Sequence, residues 1–251
     1  MKQQTNKHLF ALYYPSLSIN CSTITAGKTF TLGDRQLVHR ISRVLRLRVG
    51  KELILFDRQQ HAQLKIETLS PKEAQLQLAT ITPNIPLKPT ITIGLPLLKR
   101  RDLEEAIYAT TEVGVNAIQL LETTKSDHLG TKDIKLERLE RIVISAAEQA
   151  KQFALPTIHK PVPLADWLTN SRFEAAVFFD PKGESLNTVA DGLRSQKPKD
   201  ISLLVGPEGD LTPDEKEQLH QHQFVFCALT PTVLQAHRAI ALSCGAMRAL
   251  L

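Results

Sequence analysis

Short apolar runs separated by glycines dominate the first third of the chain. They lie at residues 9–13, 52–56, 62–66 and 74–79, and the last two alternate in part between apolar and polar side chains. Alternation with a period of two residues is typical of a half-buried strand. One segment, residues 34–47, instead places Leu37, Ile41, Val44 and Leu45 at helical spacing. Residues 1–80 are therefore predicted to form a small β-barrel with one short helix.

The hydrophobic pattern changes after residues 82–89, which contain three prolines and favour an extended connection. Apolar strand-like runs follow at 90–95, 117–121, 175–179, 201–205 and 225–229. Helical patterns lie between them and after them, at 102–113, 133–153, 213–222 and 233–251. Strands that alternate with helices indicate a mostly parallel sheet covered on both faces. We therefore predict a second domain, of the α/β class, over residues 90–251.

The last helical segment is apolar around much of its circumference, through residues that include Val233, Ile240, Cys244 and Met247. A helix of this kind is expected to be buried, either against the sheet or against a second subunit. An earlier helix has a clear start, because Thr212 can cap it, Pro213 suits the first turn and Glu215 completes a capping box.

The basic residues are concentrated in the first third of the chain. Residues 1–80 hold 12 Lys/Arg against 5 Asp/Glu, whereas residues 81–251 hold 19 against 21. This asymmetry indicates a surface for a polyanion, most often nucleic acid, although a solvated basic surface is the alternative. Apolar runs are too short for a membrane helix, so no membrane association and a cytoplasmic location are expected.

Three cysteines, Cys21, Cys227 and Cys244, lie far apart in the sequence. Their number is odd and no Cys-x-x-Cys pair is present, so reduced structural thiols are expected rather than a metal or redox site.

The clearest candidate for chemistry is the loop Gly206-Pro207-Glu208-Gly209, which follows the apolar strand at 201–205. Ligands of open α/β sheets bind beyond the carboxyl ends of strands, and glycines let the backbone approach a ligand closely. The loop matches neither the dinucleotide fingerprint nor the P-loop. A ligand loop and a simple strand–helix turn are equally compatible with it. Two further strand ends, at 178–183 and 229–238, are predicted to lie beside it.

Four segments of the chain resemble one known family. They are residues 38–50, residues 111–115 (Thr-Glu-Val-Gly-Val), residues 146–149 (Ala-Ala-Glu-Gln) and residues 204–209 (Leu-Val-Gly-Pro-Glu-Gly). Their order and sequence resemble the 16S rRNA uridine N3-methyltransferases (RsmE), which belong to the SPOUT class, and the resemblance covers nearly the whole chain. It implies an N-terminal PUA-like β-barrel, and a C-terminal α/β knot domain that binds S-adenosylmethionine. It also implies 16S rRNA in the small ribosomal subunit as substrate, and a homodimer.

The resemblance suggests sites for the cofactor and for RNA. The expected cofactor-binding residues are Phe179, Leu204, Gly206, Pro207, Glu208, Gly209, Leu229, Val233, Leu234 and Ala236. The expected RNA-binding residues are Arg40, Arg43, Arg46, Arg48 and Lys51, with Lys99 and Arg100 as a second group. No metal is expected.

Four residues depart from the family pattern where cofactor and substrate are expected to meet. Asp210 replaces the second glycine of the loop, Thr232 and Gln235 replace two arginines, and His237 replaces a glutamate. An active methyltransferase and a catalytically impaired or retargeted relative that acts as an RNA-binding dimer therefore both remain hypotheses. A third hypothesis is a plain RNA-binding protein whose α/β domain serves as a dimerisation scaffold.

Two residues are candidates for the catalytic step. Methylation of uracil N3 requires loss of the N3 proton, and His237 is a side chain that can accept a proton near neutral pH. A hydrogen-bonded structural histidine is the alternative. Glu208 is the acidic residue of the loop, where it either faces the substrate or caps the following helix.

Overall fold

The computed structural model describes residues 9–18, 27–126 and 134–251; Cys21 lies outside these ranges. The chain forms two compact units. One comprises the described residues up to Ile85 together with Ala147–Ala154, and the other comprises those of Pro86–Ala146 and Leu155–Leu251.

The first unit contains a five-stranded mixed sheet. Its strands are β1 (Phe10–Tyr13), β2 (Thr29–Leu32), β3 (Glu52–Phe56), β4 (Gln60–Leu69) and β5 (Ala74–Pro83), and their order is β1-β3-β4-β5-β2. Strand β1 pairs with β3 in parallel, and the other pairs are antiparallel. Alternate residues such as Leu53, Leu55, Leu64 and Ile66 are fully buried, as the period of two predicts.

The helix predicted at 34–47 is shorter and less regular than expected. Helix α1 (Arg35–His39) is capped by the Asp34 carboxylate and continues into a π-helical turn at Arg40–Val44. The wider turn rotates later side chains away from the buried face. As a result Ile41 is buried but Val44 is 62% exposed, so the predicted position of Val44 on the apolar face is wrong.

The second unit is built on a six-stranded parallel sheet with the order β11-β9-β10-β6-β7-β8. The strands are β6 (Thr90–Pro96), β7 (Ala117–Glu122), β8 (Thr157–Pro163), β9 (Ala175–Ser185), β10 (Asp200–Val205) and β11 (Val225–Ala228). The helices are α2 (Arg100–Glu112), α3 (Leu136–Ala150), α4 (Leu164–Asn170), α5 (Leu186–Gln196), α6 (Pro213–Gln221) and α7 (Ala236–Leu250). The last turn of α3, residues 147–150, belongs to the first unit. This architecture confirms the predicted fold class.

Apolar side chains cover both faces of the parallel sheet. On one face Ile201, Leu203 and Val205 of β10 belong to the larger core, which also contains Ile240 and Met247 of α7. On the other face Leu204 packs with Trp167 of α4 and Leu219 of α6. A central parallel strand that is covered on both faces is rich in apolar residues, as observed for Leu203, Leu204 and Val205 of β10.

Helix α7 starts later and is more one-sided than its composition predicted. It begins at Ala236, and the preceding Val233 is 85% exposed. The face with Ile240, Cys244 and Met247 packs into the larger core, which is one of the two predicted locations, while Leu242 is 45% exposed.

The two cysteines within the described ranges, Cys227 and Cys244, are free and buried. Burial raises the pKa of Cys227 to about 11 and that of Cys244 to about 12, so both thiols stay protonated and unreactive. Within the described ranges, no helix combines the length and the apolar character that crossing a membrane requires.

The contact between β9 and β11 predicts a severe effect of one small substitution. A methyl group on Gly183 would overlap the backbone of Phe226 and Cys227, whereas one on Gly192, in helix α5, would meet nothing within 4 Å. Gly183→Ala is expected to lower the free energy of unfolding by about 1–3 kcal/mol or more. Gly192→Ala is expected to raise it by about 0.5–1 kcal/mol. Urea denaturation of both variants checks this, and equal midpoints would refute the close approach.

Candidate functional site

A cavity of about 670 Å³ lies beyond the carboxyl ends of β6, β10 and β11 and beside residues 179–181 in the middle of β9. Strand β10 ends at Val205, which pairs with Phe179 in the middle of β9, so the loop after β10 lies beside residues 179–181 of β9. Eight of the ten predicted cofactor residues line the cavity: Phe179, Gly206, Pro207, Glu208, Leu229, Val233, Leu234 and Ala236. The three predicted segments therefore meet at one cavity, but the predicted strand end at 178–183 is wrong, because β9 continues to Ser185 and residues 179–181 line the cavity from within the strand.

The two remaining predicted residues lie outside the cavity lining. The side chain of Leu204 is fully buried on the opposite face of the sheet, because it alternates with Leu203 and Val205 along β10. Gly209 faces Lys125 instead: a Cβ on Gly209 would lie 3.1 Å from Lys125 Cβ, and the Gly209 carbonyl accepts a hydrogen bond of 3.0 Å from Lys125 Nζ. Neither of these two predicted cofactor residues lines the cavity.

All four residues that depart from the family pattern line the cavity, namely Asp210, Thr232, Gln235 and His237. Gln235 is the N-cap residue of α7, without a side-chain capping hydrogen bond. The departures are thus concentrated around one space, rather than scattered over the domain.

Asp210 closes the loop in a left-handed conformation, with φ of 59°. Its amide donates to the Pro207 carbonyl at 2.9 Å, which closes a tight turn. Such a conformation costs a residue with a Cβ roughly 1–2 kcal/mol, less for aspartate, whose side chain can bond locally.

Lys216 of α6 joins two carboxylates of the cavity wall. Its ammonium lies 2.5 Å from Asp180 Oδ2 and 2.6 Å from Asp210 Oδ2. Burial raises the pKa of Asp180, but the hydrogen bond from Lys216 and the Lys182 amide outweigh it and leave this pKa below its usual range. Asp180 is therefore an anion at neutral pH although its side chain is only 6% exposed.

Glu215 anchors the start of α6 to the loop after β7. It completes the predicted capping box with Thr212, which is thereby confirmed, and its Oε1 also accepts the Thr124 amide at 2.8 Å. The pKa of Glu215 is raised by burial, but the amides of Thr124 and Thr212 outweigh this and lower it. Glu208 was predicted either to cap this helix or to face the substrate. Thr212 is the cap, and Glu208 lies on the cavity wall.

His237, the second residue of α7, lies between two carboxylates of α2. Its Nδ1 is 3.6 Å from Asp102 Oδ1 and its Nε2 is 3.5 Å from Glu105 Oε2. Asp102 also lines the cavity. The three groups lie within 4.8 Å of one another, a spacing that also suits a cation. Neither acid was predicted from the sequence, because their position depends on the packing of α2 against α7; their spacing of three residues in α2 was the only available signal.

The predicted RNA-binding residues differ in their surroundings. Arg40 forms a bidentate ion pair with Glu148 within the first unit, at 3.0 and 2.6 Å, and the Glu148 hydrogen bond raises its pKa. The Tyr13 amide donates to the same glutamate at 2.9 Å. The structure therefore assigns Arg40 a structural contact that was not predicted from the sequence.

The other basic residues are more accessible. Arg43, Arg46, Arg48 and Lys51 are exposed on the first unit. In the second unit Lys99 lines the cavity, whereas Arg100 forms an ion pair with Glu104 at 3.2 Å and lies outside the lining.

The cavity combines an apolar wall with several charges. Phe179, Leu229, Leu234 and Ala236 offer apolar contacts suited to a planar ring. Of the four lining carboxylates, those of Asp180 and Asp210 are paired with Lys216, and those of Asp102 and Glu208 share the lining with the Lys99 ammonium. Such a space suits a ligand with an apolar ring system and a positive charge.

The chain matches known RNA methyltransferases. The sequence model of a family described as an RNA methyltransferase domain matches residues 86–248. Ribosomal RNA small subunit methyltransferase E of Synechocystis sp. is 30% identical over 226 residues, which cover 89% of this chain and 74% of that protein. The protein of the same name from Rickettsia conorii is 27% identical, with 84% of each chain covered.

Two solved structures share the fold. A ribosomal RNA small subunit methyltransferase E from Neisseria gonorrhoeae, solved with bound S-adenosyl methionine, has a TM-score of 0.79 and 24% identity, and the match covers 97% of this chain and 98% of that one. A Legionella pneumophila methyltransferase with bound SAM has a TM-score of 0.78 and 22% identity, with 96% and 98% covered.

The contacts of Glu215 predict a pH-dependent contribution to stability. Glu215→Gln removes the charged acceptor, so the free energy of unfolding at pH 7 is expected to fall by about 1–2 kcal/mol. Since the pKa of Glu215 is lowered from 4.5 in the folded protein, this contribution is present above pH 4.5 and is lost as the pH falls below it.

Denaturation at pH 7 and pH 3 measures the effect. The difference between wild type and Glu215→Gln should shrink at the lower pH. Glu217→Gln, an exposed acid on the same helix, is the matched control. A loss of equal size at both pH values would contradict a role for the charge.

Proposed function

Since this chain belongs to the RNA methyltransferase domain family, we propose that it transfers the methyl group of S-adenosylmethionine to N3 of a uridine in 16S ribosomal RNA. The observation that carries this proposal is the cavity at the strand ends, where eight predicted cofactor residues meet. The curated relatives named as small subunit methyltransferases E support the ribosomal substrate.

The chemistry of the cavity fits this cofactor. Its volume of about 670 Å³ lies within the usual range for small-molecule sites. Phe179, Leu229 and Leu234 would contact the adenine ring, and the backbone of residues 206–208 would approach it closely. Glu208 would face the positively charged parts. The related structures with bound S-adenosylmethionine support the same assignment.

The bound cofactor supplies an electrophilic methyl group, so the protein must position uracil and remove the N3 proton. We assign proton acceptance to Nε2 of His237, because the residue lines the cavity and Asp102, 3.6 Å from Nδ1, would hold the proton of the neutral ring on that nitrogen. The N3 proton would pass to Nε2 and from there to the Glu105 carboxylate, 3.5 Å away. Glu208, on the opposite loop, is the second candidate. The family pattern has arginines at the positions of Thr232 and Gln235. A guanidinium is a planar, charged hydrogen-bond donor, and neither Thr232 nor Gln235 supplies one.

RNA binding is assigned to exposed cations. Arg43, Arg46, Arg48 and Lys51 would contact phosphates on the first unit, and Lys99 would contact RNA at the cavity. We also infer a homodimer, which the exposed Leu242 on α7 supports, and a cytoplasmic location, where ribosomes are assembled.

The four departures from the family pattern favour a second candidate function. All four line the cavity, so a relative that binds RNA but is catalytically impaired, or that methylates a different RNA, is the alternative. Cofactor binding and methyl transfer separate the two candidates.

Calorimetry with S-adenosylhomocysteine is the first test, followed by transfer of labelled methyl groups to small ribosomal subunits that lack the modification. We expect a single binding site per chain, and label at N3 of one uridine. The absence of binding at millimolar ligand would refute the proposed function. Binding without transfer to 16S rRNA would favour the impaired or retargeted relative.

The same assay examines His237. His237→Gln should lower the transfer rate by about a hundredfold and leave the affinity for S-adenosylhomocysteine unchanged. His159→Gln, an exposed histidine of β8, is the control. An unchanged rate in His237→Gln would refute proton acceptance by this residue.

The basic cluster predicts a change in the salt dependence of RNA binding. Arg43→Gln with Arg48→Gln should weaken binding and reduce the slope of log K against log salt by about one for each phosphate that the protein no longer neutralises. Filter binding over a range of salt concentrations measures the slope.

Two variants serve as comparisons. Arg172→Gln, an exposed arginine of the second unit, should leave the slope unchanged. Arg40→Gln should chiefly lower stability, because it leaves the carboxylate of Glu148 without its guanidinium. A slope that Arg43→Gln and Arg48→Gln do not alter would contradict the assignment.

A further inference from the structure

Asp210 occupies a conformation that usually belongs to glycine. Its φ is 59°, and the loop that residues 204–209 resemble continues with a second glycine at this position. The left-handed region disfavours residues with a Cβ, and aspartate is tolerated there when its side chain bonds locally. The contacts of Asp210 are therefore what hold this end of the loop in place.

The first carboxylate oxygen of Asp210 fills the inner side of the loop. Oδ1 accepts a hydrogen bond of 2.7 Å from the Leu211 amide. The same oxygen lies 3.0 Å from the point where a Cβ on Gly206 would stand. The carboxylate and the bare backbone of Gly206 are thus complementary, so the side chain of Asp210 supports the first residue of the loop.

The second carboxylate oxygen connects the loop to the neighbouring strand. Oδ2 accepts from Lys216 Nζ at 2.6 Å, and Nζ also donates to Asp180 Oδ2 at 2.5 Å. Asp180 is fixed in turn, because its Oδ1 accepts the Lys182 amide at 2.8 Å. Asp180 and Asp210 both line the cavity, one from β9 and one from the loop after β10.

Asp180 and Lys216 are both charged at neutral pH. Burial raises the pKa of Asp180, but the hydrogen bond from Lys216 outweighs it and lowers this pKa. Burial lowers the pKa of Lys216, but the hydrogen bonds to Asp180 and Asp210 outweigh it and raise this pKa. One ammonium therefore joins two carboxylates across the cavity wall.

We propose that Asp210 is a positioning residue, which sets the affinity of the cavity for the adenosyl cofactor by joining the Gly206–Gly209 loop to β9 through Lys216 and Asp180. A glycine in this place supplies only the left-handed conformation. In this chain Asp210 adds an ionic bridge to the left-handed conformation, and the bridge fixes the distance between the loop and β9. The inference rests on the proposed cofactor, and it adds a residue that no resemblance identifies.

Asp210→Asn is the primary variant, because it keeps the shape of the side chain and leaves Lys216 paired with Asp180. Asp210→Gly restores the glycine of the family and removes both carboxylate contacts. In calorimetry, each variant is expected to bind S-adenosylhomocysteine about tenfold more weakly than wild type. The thermal midpoints are expected to stay within about 3 °C of wild type.

Lys216→Met and the double variant Asp210→Asn/Lys216→Met examine the bridge itself. If both residues act through one bridge, the double variant binds no more weakly than Lys216→Met alone. Glu217→Gln, which removes an exposed acid one residue further along α6, should bind like wild type.

Three results would overturn the inference. Wild-type affinity in both Asp210 variants would show that the bridge does not position the loop. Loss of affinity in proportion to the loss of thermal stability would show a general structural role. Failure of the wild-type chain to bind S-adenosylhomocysteine would refute the proposed function as well, whereas the first two results leave that function intact.

Discussion

The parallel pairing of β10 between β6 and β9 is the constraint on which the second unit depends. Ile201 to Val205 pair with Ala175 to Phe179 on one side, and residues 200–204 pair with 90–94 on the other. This register places the end of β10 near the end of β6 and beside Phe179 in the middle of β9, so the loops after β6 and β10 open onto one edge of the sheet next to β9. A shift by one residue would turn Leu204 toward the cavity and Val205 away from it.

Charge compensation follows from that arrangement. The cavity wall holds several carboxylates, and an isolated buried charge would be expensive to keep. The two buried acids of this region both have hydrogen-bond partners. Asp180 accepts from Lys216 and from a backbone amide, and Glu215 accepts from two backbone amides and a hydroxyl. The more exposed Glu208 needs none for solvation. The structure thereby keeps an acidic cavity inside a chain whose net charge is +5.

Local sequence signals were sufficient for much of the fold, but contacts between distant segments were beyond them. The apolar run of β10 and the capping box of α6 act through near neighbours, so their patterns predicted both elements correctly. Strand β8 was missed because it is an edge strand with prolines and exposed side chains, and β2, α4 and α5 were missed as well.

Contacts between residues far apart in the sequence were not predicted. Arg40 pairs with Glu148, which is 108 residues away, and the carboxylates beside His237 depend on packing of α2 against α7. No local pattern marks either contact.

The departures from the family pattern are best understood as a set, because they share one space. Asp210 breaks the local rule that favours glycine at positive φ, and its contacts with Leu211 and Lys216 compensate for the strain. His237 replaces an acid, yet two acids from α2 lie beside it. In both cases the new side chain has partners that suit its own chemistry. Substitutions that accumulate in a site without a function would leave charged side chains without partners. The paired contacts of Asp210 and His237 therefore favour a modified site over one that has lost its function.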